Sequence, residues 1–331
     1  MISRPDSSNL AASSSRAAAD RSLSHTTSPA VVTVSGLVKR YGSVAAVDGI
    51  SFEVRGGEIF GLLGPNGAGK TTIVEIIEGL RDADAGTVRV LELDVRSQRQ
   101  EIKERIGVQL QTPSLFPRLR VAELLNLFAG FFRRSVSIDD LIEDFGLEES
   151  RLKLVKQLSG GQQQRLSVAL ALVNDPEIVF LDEPTNGLDP QARLNLWGVM
   201  RGLQSRGKTI VVTTHYMEEA ERLCDRVAIV DRGRIVAIGS PKELIRDAFT
   251  ESAVTFRAEG AEHDVLSELP GVVNASDENA EWTLYSNNVP ATMGVLLSYA
   301  QGRGLEVEGL TVRGASLEDV FLKLTGRRFR D

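Results

Sequence analysis

The sequence predicts an α/β protein with a mainly parallel sheet covered by helices on both faces, followed by a smaller α+β unit. Three observations carry this. Short apolar runs of strand length, at residues 58–63, 177–183 and 209–214, alternate with stretches of helical spacing. The first run leads straight into Gly64-Pro65-Asn66-Gly67-Ala68-Gly69-Lys70-Thr71, which fits the phosphate-loop pattern G-x-x-x-x-G-K-[ST] between a strand and a helix. From about Thr250 the order becomes β, α, β, β, α, β, the split βαβ or ferredoxin-like arrangement.

In chain order, residues 1–30 are rich in Ser and Ala and carry Arg4, Arg16 and Arg21. They lack the apolar stretch of a secretory signal and read as a disordered tail. Residues 31–35 and 50–54 read as strands, with a turn at Tyr41-Gly42. Beyond the phosphate loop, residues 72–78 have helical spacing, with Ile73, Ile76 and Ile77 on one face. A strand at 86–91, a polar helical stretch at 97–105 and a short strand at 106–111 follow. Pro113 and Pro117 then open a mostly helical insert, about residues 113–174, with apolar helical spacing over 121–132 and 138–145.

Within the insert, Leu158-Ser159-Gly160-Gly161-Gln162 opens a helix over 163–173. The strand at 177–183 ends in two adjacent carboxylates, Asp182 and Glu183, before Pro184. A helix at 191–204, the strand at 209–214 with His215 at its end, and a helix at 217–225 continue the alternation. Residues 227–229 and 235–238 pair around Asp231-Arg-Gly-Arg234, a hairpin signal. In the last part, strands are expected at 253–257, 272–274, 282–286 and 306–313, and helices at 263–269 and 289–301. A final helix at 317–324 has no evident place to pack. The expected division is therefore a tail at 1–30, a nucleotide-binding unit at 31–245 and an accessory unit at 250–331.

The composition excludes several functions. Of 331 residues, 25% are charged and 42% hydrophobic, and 38 basic residues face 45 acidic ones, a net charge of −7. That sign is wrong for a protein whose main partner is nucleic acid. No apolar run approaches the ~20 residues needed to cross a bilayer. The single cysteine, Cys224, leaves no internal disulfide, suits a reducing compartment and reads as a small core residue. His25 and His263 offer no metal-ligand spacing with His215, so no zinc site is expected.

The chemistry expected of the loop follows from its geometry. Gly64, Gly67 and Gly69 permit a turn whose backbone N–H groups point at a polyphosphate, with the positive end of the next helix behind them. Pro65, Asn66, Ala68 and Thr72 complete the cradle. Lys70 reaches the outer phosphates as a point charge, and the Thr71 hydroxyl ligates Mg²⁺. A carboxylate at a strand end, Asp182, holds the metal, and its neighbour Glu183 can polarise an attacking water. Ligands of such sheets sit beyond the carboxyl ends of the strands, so Gly64, Gln111, Asp182, Glu183 and His215 should converge. Ser159, Gly160 and Gly161 offer a hydroxyl and exposed N–H groups at a helix start, a second anion site.

With its order of phosphate loop, Leu158-Ser-Gly-Gly-Gln162 and Leu181-Asp-Glu-Pro-Thr-Asn-Gly-Leu-Asp-Pro190, the chain resembles the ATP-binding cassette (ABC) proteins over about residues 31–245. The resemblance implies a RecA-like P-loop NTPase core with antiparallel β and helical subdomains, and hydrolysis of ATP with Mg²⁺. It implies that Tyr41 stacks on adenine and that Gln111 contacts Mg²⁺ and the attacking water and reports to a transmembrane partner. It also makes Glu183 the catalytic glutamate, His215 the residue that contacts the γ-phosphate, and Asp189 the D-loop aspartate. The signature, Ser159 to Gln162, would complete the site of another subunit. Two ATP molecules are then sandwiched in a head-to-tail dimer, of this chain with itself or with a related ATPase. Asn186 stands where serine is common, and Gln109-Leu110 precede Gln111 where other residues are frequent.

The ending Ala315-Ser-Leu-Glu-Asp-Val-Phe-Leu-Lys-Leu-Thr-Gly326 is similar to that of ATPase subunits of the daunorubicin-resistance type, which export drugs and antibiotics through separate membrane polypeptides. This implies a cytoplasmic protein held on the cytoplasmic face of the cell membrane by its permease, docked in a groove beside Gln111 between Pro113 and Leu127. Two other readings remain open at this point. ATP-switched ABC proteins of ribosomes or DNA typically carry two cassettes or long heptad-rich insertions, which this chain lacks. An importer ATPase would carry a regulatory C-terminal domain.

Overall fold

The computed structural model describes residues 28–111, 115–249 and 251–326. Most of the expected tail, with His25, and Pro113 lie outside the described residues. β1 (Ala30–Tyr41) and β2 (Val44–Arg55) form an antiparallel hairpin, longer than the two expected strands. β3 (Ile59–Leu63) is buried at every position. Its alternating side chains serve two cores: Ile59 and Leu63 join one cluster, Phe60 and Leu62 the other. α1 (Lys70–Ile77) follows the phosphate loop, then β4 (Ala85–Val90), β5 (Leu93–Asp94), α2 (Arg99–Arg105) and β6 (Ile106–Gln109). Because β6 stops at Gln109, Gln111 sits on a loop rather than in the expected strand at 106–111.

The helical insert contains α3 (Val121–Ala129), α4 (Ile138–Asp144) and α5 (Gly160–Leu170). α5 starts three residues before the expected helix. The Ser159 hydroxyl accepts from the Gln162 N–H and the Gln162 side chain accepts from the Ser159 N–H, a reciprocal cap that draws Gly160 and Gly161 into the first turn. Then come β7 (Ile178–Asp182), α6 (Pro190–Ser205), β8 (Thr209–Thr214), α7 (Met217–Leu223), β9 (Arg226–Asp231) and β10 (Arg234–Gly239). The last two are joined through Arg232 and Gly233, both at positive φ, as a twisted two-residue hairpin turn requires. The sequence reading overlooked α8 (Pro241–Ala248), although Ser240 and Glu243 cap it reciprocally and Pro241 occupies its first turn.

The accessory part comprises β11 (Ser252–Arg257), α9 (His263–Ser267), β12 (Val272–Glu278), β13 (Glu281–Ser286), α10 (Val289–Arg303), β14 (Glu308–Gly314) and α11 (Leu317–Thr325). Its sheet runs β12-β13-β11-β14, all antiparallel, which is the ferredoxin-like order. Val254, Phe256, Trp282, Leu284 and Leu296 give it a core of its own.

Two further sheets precede it. One is the antiparallel β2-β1-β4-β5, and the other is β10-β9-β3-β8-β7-β6, parallel apart from the β9–β10 hairpin. Phe52 of the first stacks on Phe60 of the second, ring centroids 5.4 Å apart. The register sets Leu63 beside Thr214 and Asp182 beside Thr213, so β3, β7 and β8 end together.

The final helix, unplaced from sequence, has a definite seat. Leu317, Val320 and Phe321 of α11 are buried in the same cluster as Leu223 of α7 and β-sheet residues such as Leu181. The Leu317 N–H donates to Glu221 Oε1 of α7 at 2.6 Å. On its other side, Asp319 accepts from Tyr285 Oη of β13 at 2.9 Å and pairs with Arg313. α11 therefore straps the accessory sheet to the part of the chain that precedes it.

Candidate nucleotide site

The loop between β3 and α1 is fixed by close approach as much as by hydrogen bonds. A Cβ at Gly64 would lie 2.2 Å from the Val230 carbonyl oxygen, and one at Gly69 would lie 2.3 Å from that of Ala46. Gly69 is also at φ 105°, outside the range of L side chains, and caps α1 with no side chain on its N–H groups. Those donors stay available to an anion. Ala68 is buried, Pro65 half-buried, and Asn66 and Gly67 are exposed along the loop, with Thr71 and Thr72 half-buried behind it.

Lys70 is buried within this turn. Its ammonium donates to the carbonyls of Gly64 at 2.8 Å and Pro65 at 3.2 Å and lies 3.5 Å from Glu183 Oε1. Burial pulls its pKa down from the usual lysine value, and the Glu183 carboxylate opposes that shift.

Glu183 is where the strand ends meet. Its Oε2 accepts from Gln111 Nε2 at 3.2 Å and from Asn186 Nδ2 at 3.4 Å. Its Oε1 lies 3.3 Å from His215 Nδ1. That nitrogen is buried and makes no hydrogen bond, so the two groups are close without a directed bond. Glu183 itself has φ 48°, an uncommon left-handed conformation for a residue with a side chain. The strained backbone is held by Thr213, whose hydroxyl accepts from the Glu183 N–H at 3.0 Å.

Asp182 is buried beside it. It accepts hydrogen bonds from Thr213 Oγ1 and, at 3.5 Å, from Thr71 Oγ1. Burial raises its pKa from the ordinary aspartate value, and the two hydroxyls work against the rise. A carboxylate and a hydroxyl at a loop built for phosphate form an oxygen donor set of the kind a hard dication such as Mg²⁺ takes.

Tyr41, at the end of β1, is 44% exposed and has Arg81 Cζ 5.4 Å and Lys39 Nζ 5.8 Å from its ring centroid. The β2 strand that pairs with it also supplies the Ala46 carbonyl against Gly69, so ring and loop lie on neighbouring segments.

Ser159, Gly160, Gly161 and Gln162 are not brought to this loop. The Ser159 cap is internal to α5, and Gln162 Nε2 donates to Ser150 Oγ. A Cβ on Gly161 would meet Ala192 and Leu188, the segment around Asp189. Asp189 caps α6 by accepting from the Ala192 N–H at 2.8 Å.

The sequence reading missed Thr213 and the contact of Asn186 with Glu183. Thr213 was visible only through register, as the residue paired with Asp182 across β7 and β8. Among the described residues, no helix is long and apolar enough to cross a membrane.

Comparison with known proteins is consistent with this geometry. The ABC transporter family model matches residues 47–186, and that of the ATP-binding protein DrrA1-3-like C-terminal domain matches residues 239–325. The Nod factor export ATP-binding protein I of Ralstonia nicotianae is 41% identical over 308 residues, covering 91% of this chain and 95% of that protein. The protein of the same name from Mesorhizobium japonicum is 41% identical over 319 residues, covering 95% and 92%. Among solved structures, a dimeric post-hydrolysis state of the ATP-binding cassette MJ0796, bound to ADP and Pi, superposes with TM-score 0.59 at 27% identity, over 63% of this chain and 98% of that one. Matched along almost its whole length by export ATP-binding proteins and folded as a cassette, the chain belongs to the ABC transporter family as an ATP-hydrolysing, ATP-binding subunit.

Proposed function

We propose that two copies of this chain, or one copy and a related ATPase, clasp two Mg-ATP head to tail and so drive export through a separate membrane subunit. The observation that carries this is the position of Glu183, within reach of Lys70, Gln111 and His215, while the signature turn of the same chain bonds elsewhere. One protomer thus holds a phosphate loop with its acid–base group and lacks the second anion site at that loop. Ser159 to Gln162 of the other protomer, with Asp189 beside them, would supply it.

The roles follow from the chemistry of each side chain. Lys70 and the loop N–H groups hold the phosphates, with Thr71 and Asp182 on Mg²⁺. Bound Mg²⁺ withdraws charge from the phosphate oxygens. Glu183 accepts the proton of the attacking water, Gln111 orients that water, and His215 steadies the terminal phosphate. Tyr41 stacks on the base. Nucleotide binding favours the closed dimer by as much as it binds that dimer better than the open one, and loss of the terminal phosphate removes the difference.

The membrane subunit would dock beside Gln111. A cavity of about 410 Å³ there is lined by Leu80, Leu110, Phe128, Phe131 and Phe132. Phe131, Leu80 and Leu110 are 67%, 52% and 47% exposed, an apolar surface next to the catalytic loop. The cavity is lined from α2, β6 and the end of α3 from Phe128 on, so this docking site lies beside, not within, the stretch Pro113 to Leu127 expected from sequence. Held there, the chain would work on the cytoplasmic face of the membrane. In this reading residues 31–245 form the motor and residues 250–331 an accessory domain. The relatives are named for Nod factor export, which supports the export direction, and the cargo in this reading is a drug, an antibiotic or another hydrophobic compound.

Glu183→Gln tests the centre of this reading. It keeps the shape and the bond to Gln111 but cannot take a proton. Phosphate release should fall about 10²–10⁴-fold while nucleotide binding persists. Sedimentation with Mg-ATP should then show a stable dimer. Solitary protomers under those conditions, even with the membrane subunit present, would overturn the dimeric mechanism.

A further inference from the structure

The cavity proposed for docking contains a group that an apolar groove does not need. Glu78 caps the C-terminus of α1 and is 3% exposed. Its Oε2 is buried without a hydrogen-bond partner, and the residue lines the cavity with Leu80, Leu110, Phe128 and Phe131. Three effects disfavour a carboxylate there. It is withdrawn from water, it stands at the negative end of a helix, and the fold leaves one of its oxygens unmet. Burial first, then the charges of Asp182 and Glu75, push its pKa up to about 8. An aliphatic side chain at this position would remove all three penalties.

We infer that Glu78 is the recognition point for a cationic side chain of the membrane subunit: a Lys or Arg on its docking helix, flanked by apolar residues, enters the cavity and pairs with the Glu78 carboxylate. This rests on the docking reading above and adds to it the chemistry of the partner. A cation at the C-terminus of α1 meets the helix dipole favourably as well as the carboxylate. The cavity's own charged lining is Glu78, Glu104 and Lys103, so Lys103 is balanced by Glu104 and no cation of the cavity is left over for Glu78 once an incoming positive charge ionises it. Lys103 is exposed on α2 and forms no ion pair with Glu78 among the described residues. The apolar rim, Leu80, Leu110 and Phe131, would exclude water from the pair and select a helix with apolar neighbours beside its cation.

The test uses the full chain in its native membranes, with the photocrosslinker 4-benzoylphenylalanine placed at Leu110 or at Phe131. The crosslink should map to a segment of a polytopic subunit that contains Lys or Arg. Glu78→Gln, close to isosteric, should lower recovery of that subunit about tenfold or more while leaving the ATPase rate and melting of the isolated chain unchanged. Glu78→Lys should abolish recovery, and reversing the mapped cation to Glu should restore it. Undiminished recovery with Glu78→Gln, or a mapped segment lacking any cation, would sink the role of Glu78 and leave docking in place. Crosslinks only to a second copy of the chain, or none at all, would sink the docking reading itself.

Discussion

The phosphate loop and the signature turn are both glycine-rich starts of helices, and they solve the problem of unpaired N–H groups in opposite ways. At α1 the cap is Gly69, which offers no side chain, and the loop is pressed between β2 and β9 so tightly that a Cβ at Gly64 or Gly69 would strike a carbonyl. At α5 the cap is Ser159, reciprocated by Gln162, and a Cβ on Gly160 would meet nothing within 4 Å. The first is rigid and leaves its donors for a ligand. The second holds its own shape and faces outward. A site that is stable alone can wait for a ligand, whereas a surface that is stable alone can wait for a partner. In the proposed dimer, that difference suits them to opposite sides of a shared nucleotide.

The strongest way to break the comparison is to disable each half separately. Lys70→Ala removes the charge from the loop, and Gly160→Glu sets a carboxylate where phosphate should approach, in open space that tolerates it. Each alone should lose turnover about 10²-fold or more. An equimolar mixture should regain activity, up to about a quarter of the native rate, because half the dimers are mixed and each has one intact site. No recovery at all in phosphate release would mean that the sites are not shared in trans.

A smaller effect sharpens the loop side. Thr213→Val keeps the shape but deletes the hydroxyl that bonds Asp182 and accepts the Glu183 N–H. A group that orients a metal carboxylate typically affects affinity or rate about 10–100-fold. Turnover should fall within that range, with the Mg²⁺ concentration for half activity raised. An unchanged Mg²⁺ dependence would show that Thr213 supports only the backbone. The smallest expected effect lies far from both halves. Glu221→Ala removes the carboxylate that accepts the Leu317 N–H, at a cost of about 1 kcal/mol. It should lower the melting temperature by a few degrees and speed proteolysis near α11, with turnover intact.

What could be read from the sequence was what is local in it. The phosphate loop, the paired carboxylates after an apolar run, and the Arg232-Gly233 hairpin each depend on neighbours along the chain, and all lie where their spacing placed them. Strand ends were less legible because pairing, not composition, sets them. β6 stops at Gln109 where its partner β7 reaches Leu181, which frees Gln111 to swing toward Glu183. Thr213 looked like one more β-branched residue in a buried strand, since its role exists only in register with Asp182. Glu78 fell at a polar position of a helical pattern, and nothing in that pattern indicates that helix α3 and strand β6 close over it. The seat of α11 depends on α7 and α8, elements distant from it in sequence.

That seat has a consequence for how the molecule is made. Leu317, Val320 and Phe321 fill a gap in the motor's own interior, yet the ribosome delivers them after every strand of both sheets of that motor. Until they arrive, the surface of α7, just beyond His215, stays open and greasy. A nascent chain can therefore complete its nucleotide fold only once α11 has been made, and a premature stop even shortly before Leu317 would leave that fold with an unsealed flank.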